Sequence, residues 1–295
     1  MASAKQWVEA VRLRTLPASV APVLVGIGAA WQLEQPDWKR AGLALVVAVT
    51  MQVGANFAND YSDGMRGTDS QRQGPQRLVG SGSARPAAVK AAAILAFTLS
   101  GAAGLYLCYL TGHWWLAAIG LACVLLAWTY TGGRRPYGYA GLGEVGVFIC
   151  FGLVATLGTM YVVASQLTWR AGIAAIAMGL LACAILMANN LRDLATDKAA
   201  GKKTLAVRLG NKRARLVYQI EVWLAMLLVV PMAVGRWHLL VVLLAALPTA
   251  KLAGAVNDGV RGQDLVTVLR GTGQVQLMYG ILLGLALANL NLWPT

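Results

Sequence analysis

Charged residues are so sparse in this 295-residue chain that they cut it into long uncharged runs, and those runs decide what it can fold into. The runs cover 15–33, 41–59, 91–133, 145–169, 171–191, 222–235, 237–250 and 271–295. A helix needs about 20 apolar residues to cross the hydrocarbon of a bilayer. The run 91–133 is long enough for two helices hinged at Thr111, Gly112 and His113, which brings the expected number to nine. The runs 222–235 and 237–250 are short, and only Gly235 and Arg236 separate them. Hydrophobic residues make up 58% of the chain and charged ones 13%, against about 45–50% and 25% in soluble domains. A water-soluble fold of this size cannot hide that much apolar surface. Disorder, collagen-like repeats and a disulfide-stapled secreted module are excluded by the same figures. The chain therefore reads as an all-α polytopic membrane protein, with one transmembrane domain over residues 1–295. Residues 1–16 hold Lys5, Glu9, Arg12 and Arg14 and lack the apolar core of a secretory signal. With Trp7, Val8 and Val11 they read as an interfacial segment.

The net charge of +13 would suit nucleic acid, but its distribution points to topology. With nine helices, 21 of the 25 Lys and Arg fall on one side of the membrane. The N-terminal segment and the loops after the second, fourth, sixth and eighth helices carry them. Lys39, Arg40, Arg170 and Arg236 fall on the other side. Basic flanks favour the cytoplasm, so the N-terminus is expected inside and Thr295 outside, in a cytoplasmic (inner) membrane. Cys108, Cys123, Cys150 and Cys183 lie singly in apolar runs, without metal-type spacing, and read as packing. His113 and His238 read as interfacial residues without an assigned function.

Of the 12 acidic residues, four occupy two related settings. The second helix ends in Asn56-Phe-Ala-Asn59-Asp60-Tyr-Ser-Asp63-Gly-Met-Arg66-Gly67-Thr-Asp69, and the sixth in Asn189-Asn190-Leu-Arg192-Asp193-Leu-Ala-Thr-Asp197-Lys198. Residues three and four apart share a helix face, so each segment forms an oxygen-rich stripe, and both stripes point to the same membrane side. Carboxylates near the membrane are costly unless paired, hydrated or neutralised. Two facing clusters of hard oxygen ligands suit Mg²⁺ held between carboxylates and substrate phosphates. Arg66, Arg72 and Arg77 follow the first stripe and Lys198, Lys202 and Lys203 the second. Cations beside a divalent metal fit a diphosphate leaving group. Solvated helix-end caps are the plainer alternative, and an ion-coupled transporter is the alternative from another class.

A third segment, Tyr130-Thr-Gly-Gly-Arg134-Arg135-Pro136-Tyr137-Gly-Tyr139-Ala-Gly-Leu-Gly-Glu144, follows the fourth helix. It reads either as an aromatic belt with a basic turn or as a wall of the site. In the second case tyrosine π-density could stabilise an allylic cation, and Glu144 could accept a proton. Gly259-Val-Arg261-Gly262-Gln-Asp264 echoes the end of the first stripe but lacks a second carboxylate at helical spacing, and reads as a polar loop.

Asn59-Asp60-x-x-Asp63 and Asp193-x-x-x-Asp197 resemble the two motifs of the UbiA superfamily of intramembrane prenyltransferases. The resemblance implies nine helices around a central cavity, with both motifs binding Mg²⁺ and an isoprenyl diphosphate. Gly67 stands where the family's first motif commonly ends in a further Asp, and Asp69 lies two residues beyond. Arg14-Thr-Leu-Pro17, Tyr137-Gly-Tyr-x-Gly-x-Gly-Glu144, Asn189-Asn-Leu-Arg-Asp193 and Lys203-Thr-Leu-Ala-Val-Arg-Leu-Gly210 are similar to the menaquinone-forming branch. Together the matching pieces run from residue 12 to about 215.

The implied reaction moves a polyprenyl group from its diphosphate to 1,4-dihydroxy-2-naphthoate, with loss of CO₂ and diphosphate, giving demethylmenaquinol. Another acceptor, 4-hydroxybenzoate or homogentisate, is the alternative within the family. The implied metal ligands are Asp60, Asp63, Asp193 and Asp197, supported by Asn59, with Tyr130 in the catalytic set. Diphosphate would meet Arg66, Arg72, Arg77, Lys198, Lys203 and Asn190. Arg14, Arg134, Tyr139 and Glu144 are the candidates for the acceptor.

Overall fold

The computed structural model describes residues 2–33, 36–68 and 77–288. Among these residues the chain is helical, without a strand. Nine apolar helices follow one another: α1 (Pro17–Trp31), α2 (Trp38–Met65), α3 (Pro86–Thr111), α4 (Leu116–Thr129), α5 (Gly143–Ala164), α6 (Trp169–Arg192), α7 (Leu205–Met232), α8 (Trp237–Asn257) and α9 (Asp264–Ala288). Seven of them, α2, α3 and α5 to α9, are long and apolar enough to cross a membrane, and α1 joins them if counted with the bent segment before it. The protein is a multi-pass membrane protein.

Helix α4 has 14 residues, fewer than the about 20 of a full crossing, and hydrogen-bonded turns extend the apolar segment from His113 at its start to Gly132 at its end. The hinge before it lies where the uncharged run predicts, with α3 ending at Thr111 and Gly112 left-handed at φ 73°. A short helix, Ala4–Val11, precedes α1 and starts on a Ser3/Gln6 capping box.

The seventh helix corrects the expectation. The basic stretch Arg208 to Arg215 belongs to α7, which the charge pattern starts only at 222. Helical hydrogen bonding does not stop at the edge of the hydrocarbon, so a charged run beyond a span need not be a loop. Arg215 is buried and donates to Asn211 and to the Val256 and Val260 carbonyls, satisfying the end of α8. The helical path breaks at Gly210 (φ 75°, ψ 165°).

α6 is the central helix, buried along most of its length by small residues such as Ala171, Ala174, Ala177, Ala184 and Ala188. It packs against α5, α7 and α9, while α2 pairs with α3 and α1 with α9. The α1–α9 crossing is tight: a Cβ on Gly28 would stand 2.0 Å from the Gly284 carbonyl oxygen. Close backbone approach through small residues is how helices gain contact in lipid. Within α5, residues Phe148–Val154 widen into a π-helical stretch against α6. Between α1, α2, α4, α5 and α6 a central space remains.

Candidate active site

That space is a cavity of about 870 Å³. Its long apolar arm passes residues of α3, α4 and α5. Leu105 and Leu121 line this arm and are also exposed on the outer surface. The other end is polar, with Asn59, Asp63, Asn189, Asn190, Asp193 and Asp197 facing Arg12, Arg77 and Lys202. Three carboxylates therefore meet three cationic side chains.

The first stripe divides at its tip. Asp63 is the hub: its carboxylate takes an ion pair from Arg77, a hydrogen bond from the Tyr139 hydroxyl, and Lys202 Nζ at 3.5 Å. Asn59 faces the same cavity and accepts from the Thr131 hydroxyl at 2.8 Å. Asp60 points away. Its carboxylate accepts the Leu78 and Val79 amides at 2.8 and 3.0 Å, pinning the turn that carries Arg77. Asn56 donates to the Val11 carbonyl at 2.9 Å and ties α2 to the N-terminal helix. After α2 the chain turns through Gly67 at φ 70°. A left-handed backbone costs least at glycine, which suits Gly67 to this turn. Asp69 and Arg72 lie outside the described residues.

The second motif straddles a helix break. Asp193 ends α6 at φ −91°, ψ 5°, and a short helix, Leu194–Ala199, carries Asp197. The Asp197 amide donates to the Asp193 carbonyl at 2.7 Å, keeping both carboxylates at the cavity. Arg192 grips the Asp193 carboxylate with bonds of 2.7 and 2.5 Å and also reaches Asn189. Lys202 Nζ, 3.9 Å from Asp197, joins this motif to Asp63.

The tyrosine segment is a wall of the cavity. Tyr130 lines it and meets Tyr137 edge to face at 5.5 Å. The Tyr139 ring lies 4.7 Å from Lys202 Nζ and 5.3 Å from the Arg66 guanidinium. Burial first, then the Asp63 charge, raises the Tyr139 hydroxyl above the ordinary tyrosine value. Arg66 itself donates to the Thr131 and Gly133 carbonyls and fixes this loop. Glu144 is buried behind the wall, accepting from Asn190 at 3.1 Å.

The remaining sequence candidates fall elsewhere. Lys198, Lys203 and Arg134 are exposed and do not line the cavity. Arg14 lines a small side pocket instead. Arg12, absent from the candidates above, lines the main cavity, and so does Lys202, one of the basic residues noted after the second stripe. Both reach it through turns, at a left-handed Arg12 (φ 59°) and after Gly201 (φ 73°). No helical period predicts the direction of a side chain in such turns.

The donor set suits a hard divalent cation. Three carboxylates and the Asn59 amide oxygen share one cavity end, and Mg²⁺ commonly needs only one or two carboxylates beside substrate phosphates. Among the described residues no three His, Cys, Asp or Glu side chains already form a closed metal cage. The present arrangement is of carboxylates held by Arg77, Arg192 and Lys202, with room beside them for a phosphate-bearing ligand.

Residues 19–264 match the UbiA prenyltransferase family. The chain is 48% identical over 288 residues to a protein of Mycobacterium tuberculosis named 1,4-dihydroxy-2-naphthoate octaprenyltransferase, covering 98% of each. It is 39% identical over 215 residues to the Escherichia coli protein of that name, covering 71% of this chain and 70% of that one. Among solved structures, a UbiA homolog from Archaeoglobus fulgidus bound to GPP and Mg²⁺ shares the fold, with a TM-score of 0.70. It is 16% identical in sequence, over 94% of this chain and 99% of that one.

Proposed function

The chain belongs to the UbiA prenyltransferase family, and from that premise we propose that it transfers a polyprenyl group to 1,4-dihydroxy-2-naphthoate, forming demethylmenaquinol. The observation that carries this reading is the meeting of Asp63 and Asp197 on Lys202, at the polar end of an otherwise apolar cavity. A diphosphate needs the polar end, and its isoprenoid tail needs the apolar arm. The relatives that bear the octaprenyltransferase name cover nearly the whole chain.

Asp63, Asp193 and Asp197, with the Asn59 amide oxygen, would hold Mg²⁺, whose charge on the diphosphate oxygens supplies the pull for ionisation. Lys202 and Arg77 neutralise the charge that grows on the leaving diphosphate as the carbon–oxygen bond breaks. Tyr130 and Tyr137, which line the cavity, supply aromatic groups beside the allylic cation left behind. The electron-rich naphthol carbon bearing the carboxylate attacks this cation and forms the new carbon–carbon bond. The bond to CO₂ then breaks and its electrons restore the aromatic ring, so no strong base is required. Tyr139 positions Asp63, and Asp60 positions Arg77 through the 78–79 turn. The tail lies along the arm that reaches the outer surface at Leu105 and Leu121. The apolar walls exclude water, which would otherwise capture the cation. The protein belongs in the cytoplasmic membrane with its N-terminus inside and its C-terminus outside.

The test is purified protein with Mg²⁺, a polyprenyl diphosphate and a panel of aromatic acids, with products read by mass spectrometry. Expected is a prenylated naphthol without its carboxylate, with one CO₂ and one diphosphate released per turnover. A product that keeps the carboxylate, or preference for 4-hydroxybenzoate, overturns the acceptor assignment.

A further inference from the structure

Cys123 on α4 and Cys150 on α5 stand 27 residues apart, each alone in its apolar run. The fold brings them together. The Cys150 thiol donates toward Cys123 Sγ at 4.0 Å, and both side chains line the main cavity. Both are free thiols, Cys123 buried and Cys150 half-buried. The other two cysteines are placed differently: Cys183 donates to the Glu144 carbonyl at 3.2 Å, and Cys108 lines the cavity from α3.

Two features set this pair apart from ordinary packing. Cys150 lies in the π-helical stretch Phe148–Val154, and a widened turn of that kind inside an α-helix frequently accompanies a functional site. The pair also brackets residues 124–149, which include Tyr130, Tyr137 and Tyr139. The two sulfurs therefore stand at the roots of the tyrosine wall. A disulfide holds its sulfurs about 2.0 Å apart, so joining these two draws them together by about 2 Å. A Cβ on Gly120, three residues before Cys123 and also lining the cavity, would touch nothing within 4 Å. Helix α4 has room to make that shift.

We propose that Cys123 and Cys150 are a redox pair, oxidised to a disulfide by a lipid-soluble quinone in the cavity, and that this disulfide slows prenyl transfer. Two S–H bonds break and one S–S bond forms. The two electrons and two protons pass to the quinone, whose carbonyl oxygens become the hydroxyls of a quinol. The choice of oxidant rests on the reading given above, because the quinol product, once oxidised, is a quinone of the kind this cavity accommodates. Thiol oxidation depends on access, and an apolar arm admits such a molecule more readily than water-soluble disulfides. Disulfides of reducing compartments are commonly transient and redox-sensing. Closing this one draws α4 toward α5, narrows the arm and fixes the tyrosine wall. Less prenyl donor is consumed while the membrane quinone is oxidised.

Full-length protein in lipid nanodiscs tests this. It is incubated with excess 2,3-dimethyl-1,4-naphthoquinone, which has no free quinone-ring carbon for thiol addition, and cleared of quinone before assay. Peptide mass spectrometry should find a Cys123–Cys150 cross-link that dithiothreitol reverses. On oxidation kcat/KM for the polyprenyl diphosphate should fall by about tenfold, the scale of a displaced wall of the site, and reduction should restore it. Cys123→Ser and Cys150→Ala, each compared with itself before and after quinone, should change by less than about twofold, whereas Cys108→Ser should respond as wild type does. Absence of the cross-link, a cross-link that leaves kcat/KM unchanged, or an equal loss in Cys150→Ala overturns the proposal. A disulfide formed with diamide but not with the quinone overturns the oxidant. Reduced wild-type protein that prenylates no dihydroxynaphthoate would instead strike at the functional reading itself, and the cross-link is read independently of it.

Discussion

Lys202 Nζ lies 3.5 Å from the Asp63 carboxylate, so the turn after the second aspartate motif reaches back to the end of α2. The same nitrogen is 3.9 Å from Asp197. One buried cation therefore holds two carboxylates from distant parts of the chain. Replacing it with a neutral group leaves both facing the cavity with less compensation. Lys202→Met should lower kcat/KM for the polyprenyl diphosphate by about tenfold to a thousandfold, the scale of a lost electrostatic contact to a leaving group. Steady-state assays on detergent-purified protein check it, and a wild-type value would remove Lys202 from the diphosphate site.

Asp63→Asn and Asp193→Asn keep shape and remove an anionic oxygen. Turnover should drop by at least about a hundredfold in each. Excess chelator should abolish wild-type activity, and added Mg²⁺ should restore it. Near-normal rates in both variants, or full activity in chelator, would contradict the proposed metal role.

Tyr139 makes a prediction about alkaline pH. Its raised pKa, caused by burial and by Asp63, means that the folded protein keeps this proton after an unfolded tyrosine, near pH 10, has lost it. Tyr139's contribution is thus full below about pH 10 and is lost as pH rises toward the higher folded value. Thermal melts at pH 8 and pH 11 should show a smaller decline for Tyr139→Phe than for wild type. Equal declines would mean that Tyr139 ionises as freely in the folded state as in the unfolded one.

Helix packing gives a contrast between two glycines. A methyl group on Gly28 meets the Gly284 carbonyl, whereas one on Gly101 meets nothing within 4 Å. Gly28→Ala should destabilise the fold by about 1–3 kcal/mol through overpacking, and Gly101→Ala should not. Melting temperatures of the two variants in the same detergent decide this, with equal temperatures counting against the tight α1–α9 crossing.

Topology is tested by single cysteines introduced in a cysteine-free background. Reagents restricted to the outside should modify the loop at Arg170 but not the one at Arg134. The reverse pattern, or both loops on one side, would overturn the orientation drawn from the basic residues.

Much of the architecture was legible because few charges interrupt the apolar runs, and the hinge at Gly112 and the break at Gly235 both mark helix ends. The start of α7 was not legible, since a run containing Arg208, Lys212, Arg213 and Arg215 looks like a loop when hydropathy alone is read. At the site, spacing identified Asp63, Asp193 and Asp197 as neighbours of one space. Spacing alone did not separate Asp60 from Asp63. Residues three apart on a helix differ by about 60° around the axis, enough for one to face the cavity and the other the 78–79 turn. Lys202 and Lys203 are adjacent in sequence, and only the turn that contains them shows which one is buried.

The central position of α6 has a bearing on how the protein meets its lipid environment. This helix carries the second aspartate motif yet is buried by its neighbours along most of its length, while Leu105 and Leu121 of the cavity arm are exposed. Changes in bilayer thickness act on helices through their lipid-facing surfaces, by tilting or local thinning. They reach α3 and α4 directly and α6 only through intervening helices. Membranes of different acyl-chain length should therefore alter how the long isoprenoid is admitted before they disturb the chemistry at the aspartates.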